Sequence, residues 1–257
     1  MLENYHTHTA RCRHAVGTEE EYVLTAIAGG MTHLGFSDHT PFFFPGDYYS
    51  KMRMFPEQFP DYAATVLALK EKYAEKIQIH LGLEVEYYPD RIPALLEYIE
   101  PYGIEYLLLG QHWVGNEQNE PYCGAPTDSE MLLARYCDQI IDAMDTGLFS
   151  YIAHPDLLKF VGDAQHYRYH MGRLCQAAKE KAMPVEINLL GVQTQRHYPR
   201  ALFWEIAGDV GCDAVLGCDA HRPEDVWDPV AEAQGRKIAA EHGLRLLENI
   251  PVHSWKK

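Results

Sequence analysis

The chain has 257 residues, of which 47% are hydrophobic and 12% aromatic; this excludes a disordered or collagen-like chain and allows a sizeable core. Its 22 basic and 37 acidic side chains leave a formal charge of −15, which argues against long nucleic acid, because phosphate backbones are bound by lysine and arginine. Six cysteines without a CxxC pair make no disulfide scaffold, no run of about 18 apolar residues marks a membrane span, and the first residues lack a secretory apolar core, so a cytoplasmic protein with reduced thiols is expected.

The first strand is expected over residues 2–6, closing on Tyr5-His6-Thr7-His8. Side chains alternate along an extended chain, so His6 and His8 point the same way. A helix over 18–28 opens with Thr18 as N-cap and three glutamates in its first turn. Strand two, at 34–37, runs into Ser37-Asp38-His39. An irregular aromatic stretch, 41–55, precedes a helix over 56–76 with Phe59, Tyr62, Ala63, Val66, Leu69 and Tyr73 at helical spacing. Strand three, 77–85, carries Glu84 and is followed by Glu86; a helix over 90–100 comes next.

Strand four, 106–112, ends on His112, and a second irregular stretch, 114–128, leads to a helix over 129–145. Strand five, 150–154, ends on His154 and precedes a helix over 167–182. Strand six, 184–188, holds Glu186-Ile187-Asn188 and precedes a helix over 200–210. Strand seven, 214–219, ends on Asp219 with His221 two residues on, and a last helix covers 223–241. Seven strand–helix units imply a parallel sheet, either closed into a barrel or open and doubly wound. No glycine-rich phosphate fingerprint, linker or repeat interrupts the chain, so residues 1–257 read as one domain.

In a closed barrel the histidines at these strand ends meet at the C-terminal face, where barrel active sites sit. Imidazole and carboxylate are the ligands of Zn, Mn and Fe, and one ion needs only about four of them. The clustered side chains therefore call for two or three ions with a shared carboxylate. Two ions flanking a hydroxide suit in-line displacement at phosphorus. Asp38 reads equally as a turn residue or a ligand, and Glu86 as an acceptor behind a ligand. His80 reads as structural; His33, His166, His170, His242 and His253 read as surface residues.

The motifs His6-Thr7-His8-Thr9 with Cys12-Arg13-His14, Ser37-Asp38-His39-Thr40-Pro41, Gly82-Leu83-Glu84, Gln111-His112, Ala153-His154-Pro155-Asp156, Glu186-Ile187-Asn188 and Gly217-Cys218-Asp219-Ala220-His221 together resemble the polymerase-and-histidinol-phosphatase (PHP) superfamily, in its histidinol-phosphatase branch. The resemblance implies a distorted (β/α)7 barrel in a single domain. It also implies three divalent ions, Zn, Mn or Fe: one on His6, His8, Glu84 and Asp219, a second sharing Glu84 and taking His112 and His154, and a third on His14, His39 and His221. Glu84, Asp219 and His221 are the implied catalytic residues.

The implied reaction is hydrolysis of a phosphate monoester, L-histidinol phosphate, by a hydroxide between ions, in histidine biosynthesis. The alternative is a nucleotide or other small phosphate ester. A non-catalytic metal-binding barrel would be expected to lack ligands, and none of the nine is missing. The expected partner is a small phosphate ester, with neither nucleic acid nor membrane. Lys159 and Arg196 are the candidates for the phosphate, since Leu189, Leu190 and Gly191 stand where the family often has an arginine.

Overall fold

Strands β1 (Glu3–Asn4), β2 (His33–Phe36), β3 (Gln78–Val85) and β4 (Tyr106–Leu109) pair in that order, all parallel, in a computed structural model that describes residues 1–256. Strands β5 (Val185–Asn188), β6 (Asp213–Gly217) and β7 (Arg245–Leu246) form a second parallel run. Ile152 bridges Leu109 on one side and Val185 on the other, and Thr7 bridges Ala220. The circuit closes into a distorted α/β barrel, as seven strand–helix units and the family resemblance imply.

The distortion corrects two expectations. The strand expected over 150–154 is a single bridged residue, Ile152, because the chain turns out of the ladder at His154, whose φ is 30°. Strand β7 lies outside the expected strands. It is two residues long with Arg245 exposed, so it carries no apolar run to read.

The helices follow their local signals. Helix α1 (Glu19–Ala28) starts on a capping box, in which the Thr18 hydroxyl accepts from the Glu21 N–H and the Glu21 carboxylate accepts from the Thr18 N–H. Helix α2 (Phe59–Lys72) follows a 3-10 turn at Pro56–Gln58 and buries Phe59, Tyr62, Ala63, Val66 and Leu69. Helices α3 (Ile92–Ile99) and α4 (Glu130–Asp145) fall where expected. Helix α5 (Ala164–Glu180) begins before its apolar pattern, because Asp163 caps it through the Gln165 N–H.

Helix α6 (Leu189–Gln193) is an unexpected single turn, capped by the Asn188 side chain on the Gly191 N–H. Helix α7 (Ala201–Val210) precedes β6. The last expected helix is divided into a 3-10 turn, Pro223–Val226, and α8 (Pro229–Glu241), which Asp228 caps. Among the described residues no helix is long and apolar enough to cross a membrane. All six cysteines are free and buried.

An inner core of Tyr5, Tyr106, Leu108, Tyr151 and Val215 fills the barrel, apart from the larger core between strands and helices. Tyr106 spans its axis. Its ring occupies space that a Cβ on Gly35 or Gly82 would invade, and its hydroxyl donates to Tyr5 O at 2.8 Å. Below it lies a polar cluster. The His33 and His80 rings stack at 11°, their Nδ1 and Nε2 atoms 3.1 Å apart, and His80 Nδ1 sits 3.1 Å from Glu105 Oε2. His33 thus opens β2 and is half-buried, correcting its reading as a surface loop residue. His170 is also buried, its Nε2 3.3 Å from Glu130.

Truncation of Tyr106 to alanine empties the barrel axis, with an expected cost of about 3–5 kcal/mol in urea unfolding. Burial opposes the charge on Glu105, but hydrogen bonds from His80, Lys70 and the Leu81 N–H outweigh it and hold the carboxyl at about 2. A folded pKa below the unfolded one stabilises above the unfolded value and is lost as pH falls through the folded one. Glu105→Gln is therefore expected to flatten the fall in melting temperature between pH 4.5 and about 2, and an unchanged acid limb would contradict this assignment.

Candidate metal centre

All nine side chains named as ligands lie at the C-terminal ends of the strands or in the loops that follow them. Extended backbone after β1 presents His6 and His8 together, and the His8 N–H is fixed on Ala220 O at 2.9 Å. His39 bridges Glu84 across the β2–β3 seam. His154 and Asp219 both adopt left-handed backbone, with φ of 30° and 48°. Such a conformation costs a non-glycine residue roughly 1 kcal/mol or more, and here it turns each side chain inward from a strand end. His14 follows a 3-10 turn at Ala10–Cys12, its Nδ1 2.9 Å from Cys12 O.

The centre is built around Glu84. Its Oε1 lies 2.7 Å from His154 Nε2, 3.5 Å from His6 Nε2 and 3.7 Å from His112 Nε2. Its Oε2 lies 2.9 Å from His39 Nδ1 and 3.6 Å from His8 Nε2. Asp219 Oδ1 is 3.0 Å from His8 Nε2 and 3.5 Å from His6 Nε2. Donor atoms of His6, His8 and Asp219 lie within 4.8 Å of one another; so do those of His6, Glu84 and His154, those of His8, His39 and Glu84, and those of His14, His39 and His221.

Whether this donor set suits cations is tested by its unpaired atoms. His6 Nε2, both nitrogens of His8, His39 Nδ1, Glu84 Oε2, His154 Nδ1 and His221 Nε2 are buried without a hydrogen bond. Buried polar atoms are normally paired, and this concentration of orphans is what a shared set of metal ligands leaves. On three of the histidines the Nδ1 nitrogen is held. His6 Nδ1 lies 2.7 Å from Glu186 Oε1, His112 Nδ1 3.0 Å from Glu86 Oε1, and His221 Nδ1 2.8 Å from Asp219 O. One nitrogen fixed and the other presented is the usual dress of a metal-ligating histidine.

Protons are shared unevenly. Burial opposes charge on His8, yet the carboxylates of Asp219 and Asp38 outweigh it and lift its pKa to about 9. Burial and the neighbouring His8 push His221 down to about 3 and hold His39 well below its ordinary value. Burial raises Glu84, but His112, His39 and His6 draw it well below the usual carboxylate range. Burial and the neighbouring His8 thus keep His14, His39 and His221 on the neutral side, the form that binds metal.

Three supporting residues carry roles that sequence did not assign. Glu186 orients His6 and accepts the His154 N–H at 2.9 Å, and Asn188 donates to both Glu186 and Asp219. The signal was two polar residues on one face of a buried strand, Glu186 and Asn188 around Ile187. Asp38 accepts from Thr9 Oγ1 and from the His39 N–H, and lies 3.5 Å behind His8 Nδ1. Glu86 stands behind His112, where the sequence reading put it.

A cavity of about 1180 Å³ opens above the centre, with His14, His39, His112, Asp219 and His221 in its lining. Arg196 lines it too, its guanidinium donating to the Tyr198 hydroxyl at 2.7 Å. Lys159 does not. Its backbone N–H and carbonyl pair with Cys123 and Thr127, which ties the residue to the neighbouring loop while Leu157 forms the wall. Two other cations, Lys51 and Arg222, line the cavity from loops without a readable motif.

A methyl group on Gly110 would collide with the Glu84 carboxylate. Gly110→Ala is therefore expected to displace Glu84 and reduce bound metal per chain, read by plasma emission spectrometry on folded protein; full occupancy would show that Glu84 is not the hub.

Residues 4–189 match the family model described as the PHP domain. A probable histidinol-phosphatase of Deinococcus radiodurans is 28% identical over 234 residues, covering 89% of each chain. A histidinol-phosphatase of Lactococcus lactis is 24% identical, over 99% of this chain and 97% of its own length. The crystal structure of histidinol phosphate phosphatase from L. lactis, complexed with zinc, L-histidinol and phosphate, superposes with a TM-score of 0.74 at 19% identity, over 100% of this chain and 98% of that one; this likeness is one of fold. With its ligand motifs, its barrel and a family match spanning most of its length, the chain belongs to the PHP domain family.

Proposed function

We propose that the chain is a metal-dependent phosphoric monoester hydrolase that converts L-histidinol phosphate to L-histidinol and phosphate, a step of histidine biosynthesis in the cytoplasm, with residues 1–257 acting as one domain. The observation that carries this reading is the ring of buried, unpaired imidazole and carboxylate atoms in the floor of a large cavity. Relatives named as histidinol-phosphatases over nearly the whole chain supply the substrate.

Three divalent ions fit the donors: one on His6, His8, Glu84 and Asp219, one on Glu84, His112 and His154, and one on His14, His39 and His221. When bound, they supply concentrated positive charge for the phosphoryl oxygens and bring water toward ionisation near neutral pH. Zn, Mn and Fe all suit such mixed nitrogen and oxygen sites. Glu186 and Glu86 hold the Nδ1 protons of His6 and His112, so that each Nε2 faces the centre. Glu84, Asp219 and His221 form the reacting end of the site. Water oxygen bonds to phosphorus, the bond from phosphorus to the histidinol oxygen breaks, one water proton passes to that leaving oxygen and the other stays on the phosphate.

Arg196, steadied by Tyr198, is placed to meet a phosphate oxygen at the cavity wall. Trp113 and Tyr122 offer faces for a flat ring. Glu224, Asp225 and Asp228 also line the cavity and, outnumbering the neighbouring Arg222, favour a cationic alcohol over a polyanion. This local sign supports a small amine-bearing phosphate ester over nucleotides.

Phosphate release tests the reading. The expected kcat/KM for L-histidinol phosphate is about 100-fold above that for nucleoside monophosphates. A nucleotide turned over equally well would overturn the substrate, and no hydrolysis of any monoester by metal-replete protein would favour a non-catalytic barrel. His112→Ala is expected to lose activity and bound metal while keeping the native circular dichroism spectrum. Arg196→Ala is expected to raise KM more than it lowers kcat.

A further inference from the structure

Arg53 is the one arginine among the largest fully buried side chains, with 1% of its surface exposed. It lies near the end of the aromatic loop after β2, 14 residues beyond His39, its nearest ligand in sequence. Its guanidinium nevertheless meets the metal centre's supports on two sides. Nη1 and Nη2 donate to the two oxygens of Glu86 at 3.0 and 2.9 Å, a paired fork. Nε donates to Glu117 Oε2 at 2.8 Å, and Nη1 also reaches Thr40 O at 3.1 Å. Phe42 and Phe44 lie against the guanidinium, 5.4 and 5.9 Å from it.

Each partner leads somewhere. Glu86 Oε1 is also the acceptor for His112 Nδ1. Glu117 lines the cavity and takes the Tyr48 hydroxyl at 2.9 Å. The carbonyl of Arg53 itself accepts from Arg13 Nη2 at 2.7 Å, and Arg13 also donates to Ser50 O. Arg13 is the neighbour of His14. One buried side chain thus fastens the loop that brings Tyr48, Tyr49, Lys51 and Met52 to the cavity, and the same residue is tied to the segments carrying His112 and His14.

We propose that Arg53 is a positioning residue which couples closure of the 41–55 loop to the ligand geometry of His112 through Glu86. The proposal rests on the metal-centre reading above. Glu86 accepts the His112 proton at a fixed place only while Arg53 balances and aligns its carboxylate. Arg53 stays in that fork only while its own loop is packed over the cavity. Because coupling is reciprocal, metal that favours the held His112 also favours the packed loop by the same factor.

The test uses the full chain, Zn²⁺ as the probe, and two readouts independent of turnover. Chelator competition gives Zn²⁺ affinity, and hydrogen exchange over residues 41–55 is followed with and without Zn²⁺. In the native chain Zn²⁺ is expected to slow exchange in the loop. Arg53→Lys keeps the charge but loses the fork; it is expected to weaken Zn²⁺ retention about 10–100-fold and to remove most of the Zn²⁺-dependent protection. Where Arg53→Lys does not fold, Glu86→Gln decides, since it cuts the same link from the strand side with a smaller change. A folded variant with native Zn²⁺ affinity and native loop protection overturns the proposal. A native chain that binds no Zn²⁺ and shows no competing metal overturns the metal-centre reading instead.

Discussion

The structure depends on one buried carboxylate. Glu84 sits 1% exposed at the C-terminal mouth of the barrel, within 3.7 Å of five imidazoles. A lone ionised carboxylate at that depth would cost several kcal/mol. The neighbouring imidazoles offset this only by taking charge themselves, and they crowd each other as they do, with the His8 and His221 ring centres 4.2 Å apart. Cations held between the rings resolve both problems at once, because each neutral nitrogen and each anionic oxygen then has a partner. The barrel mouth is therefore a place where folding stability and metal affinity are linked.

Around that carboxylate the sheet makes room by leaving side chains out. Gly110 opposite Glu84 and Gly217 opposite Glu186 are sites where a Cβ would strike the carboxylate oxygens. Parallel register then sets the order of the donors: Glu84 pairs with Leu108 across β3–β4, and Glu186 with Val215 across β5–β6. Two carboxylates on different strands are delivered at similar depth, one toward the ions and one behind His6. The strained φ angles of His154 and Asp219 occur at the two strand ends where a normal ladder would carry the side chain past the centre.

The donors were legible in the sequence because a strand end imposes a period of two that survives without tertiary information. His6 with His8 and Asp219 with His221 follow that spacing, and Thr18 announced α1 through its own capping box. His14 was legible only through family resemblance, since its loop has no period. What escaped was set by contacts between distant segments. Ile152 alone replaces a strand because the chain leaves the ladder at His154, whose N–H turns to the Glu186 side chain. Strand β7 exists because β6 pairs with it at Asp213 and Ala214, not because Arg245 and Leu246 favour strand. His33 and His80 find each other across the β2–β3 seam at Gly35↔His80 register, and no local pattern links them. Lys159 is not among the residues that line the cavity, since nearness in sequence to His154 says nothing of which way a loop faces.

The net charge of −15 and the proposed reaction with a dianion look opposed until they are separated in space. Screening over roughly 8 Å at physiological salt isolates the cavity floor from most of the surface. Within that distance the sign depends on the groups that line the cavity, Lys51, Arg196 and Arg222 among them, and on any cations the centre holds, not on the total. The acidic side chains that matter are those on the wall, Glu224, Asp225 and Asp228, which follow His221 in the chain and so are fixed to the same turn as a ligand. A phosphate end drawn to the floor and an amine end drawn to that wall would orient one substrate in one direction. A nucleotide has the first end and lacks the second, so the wall contributes to selection where the floor cannot.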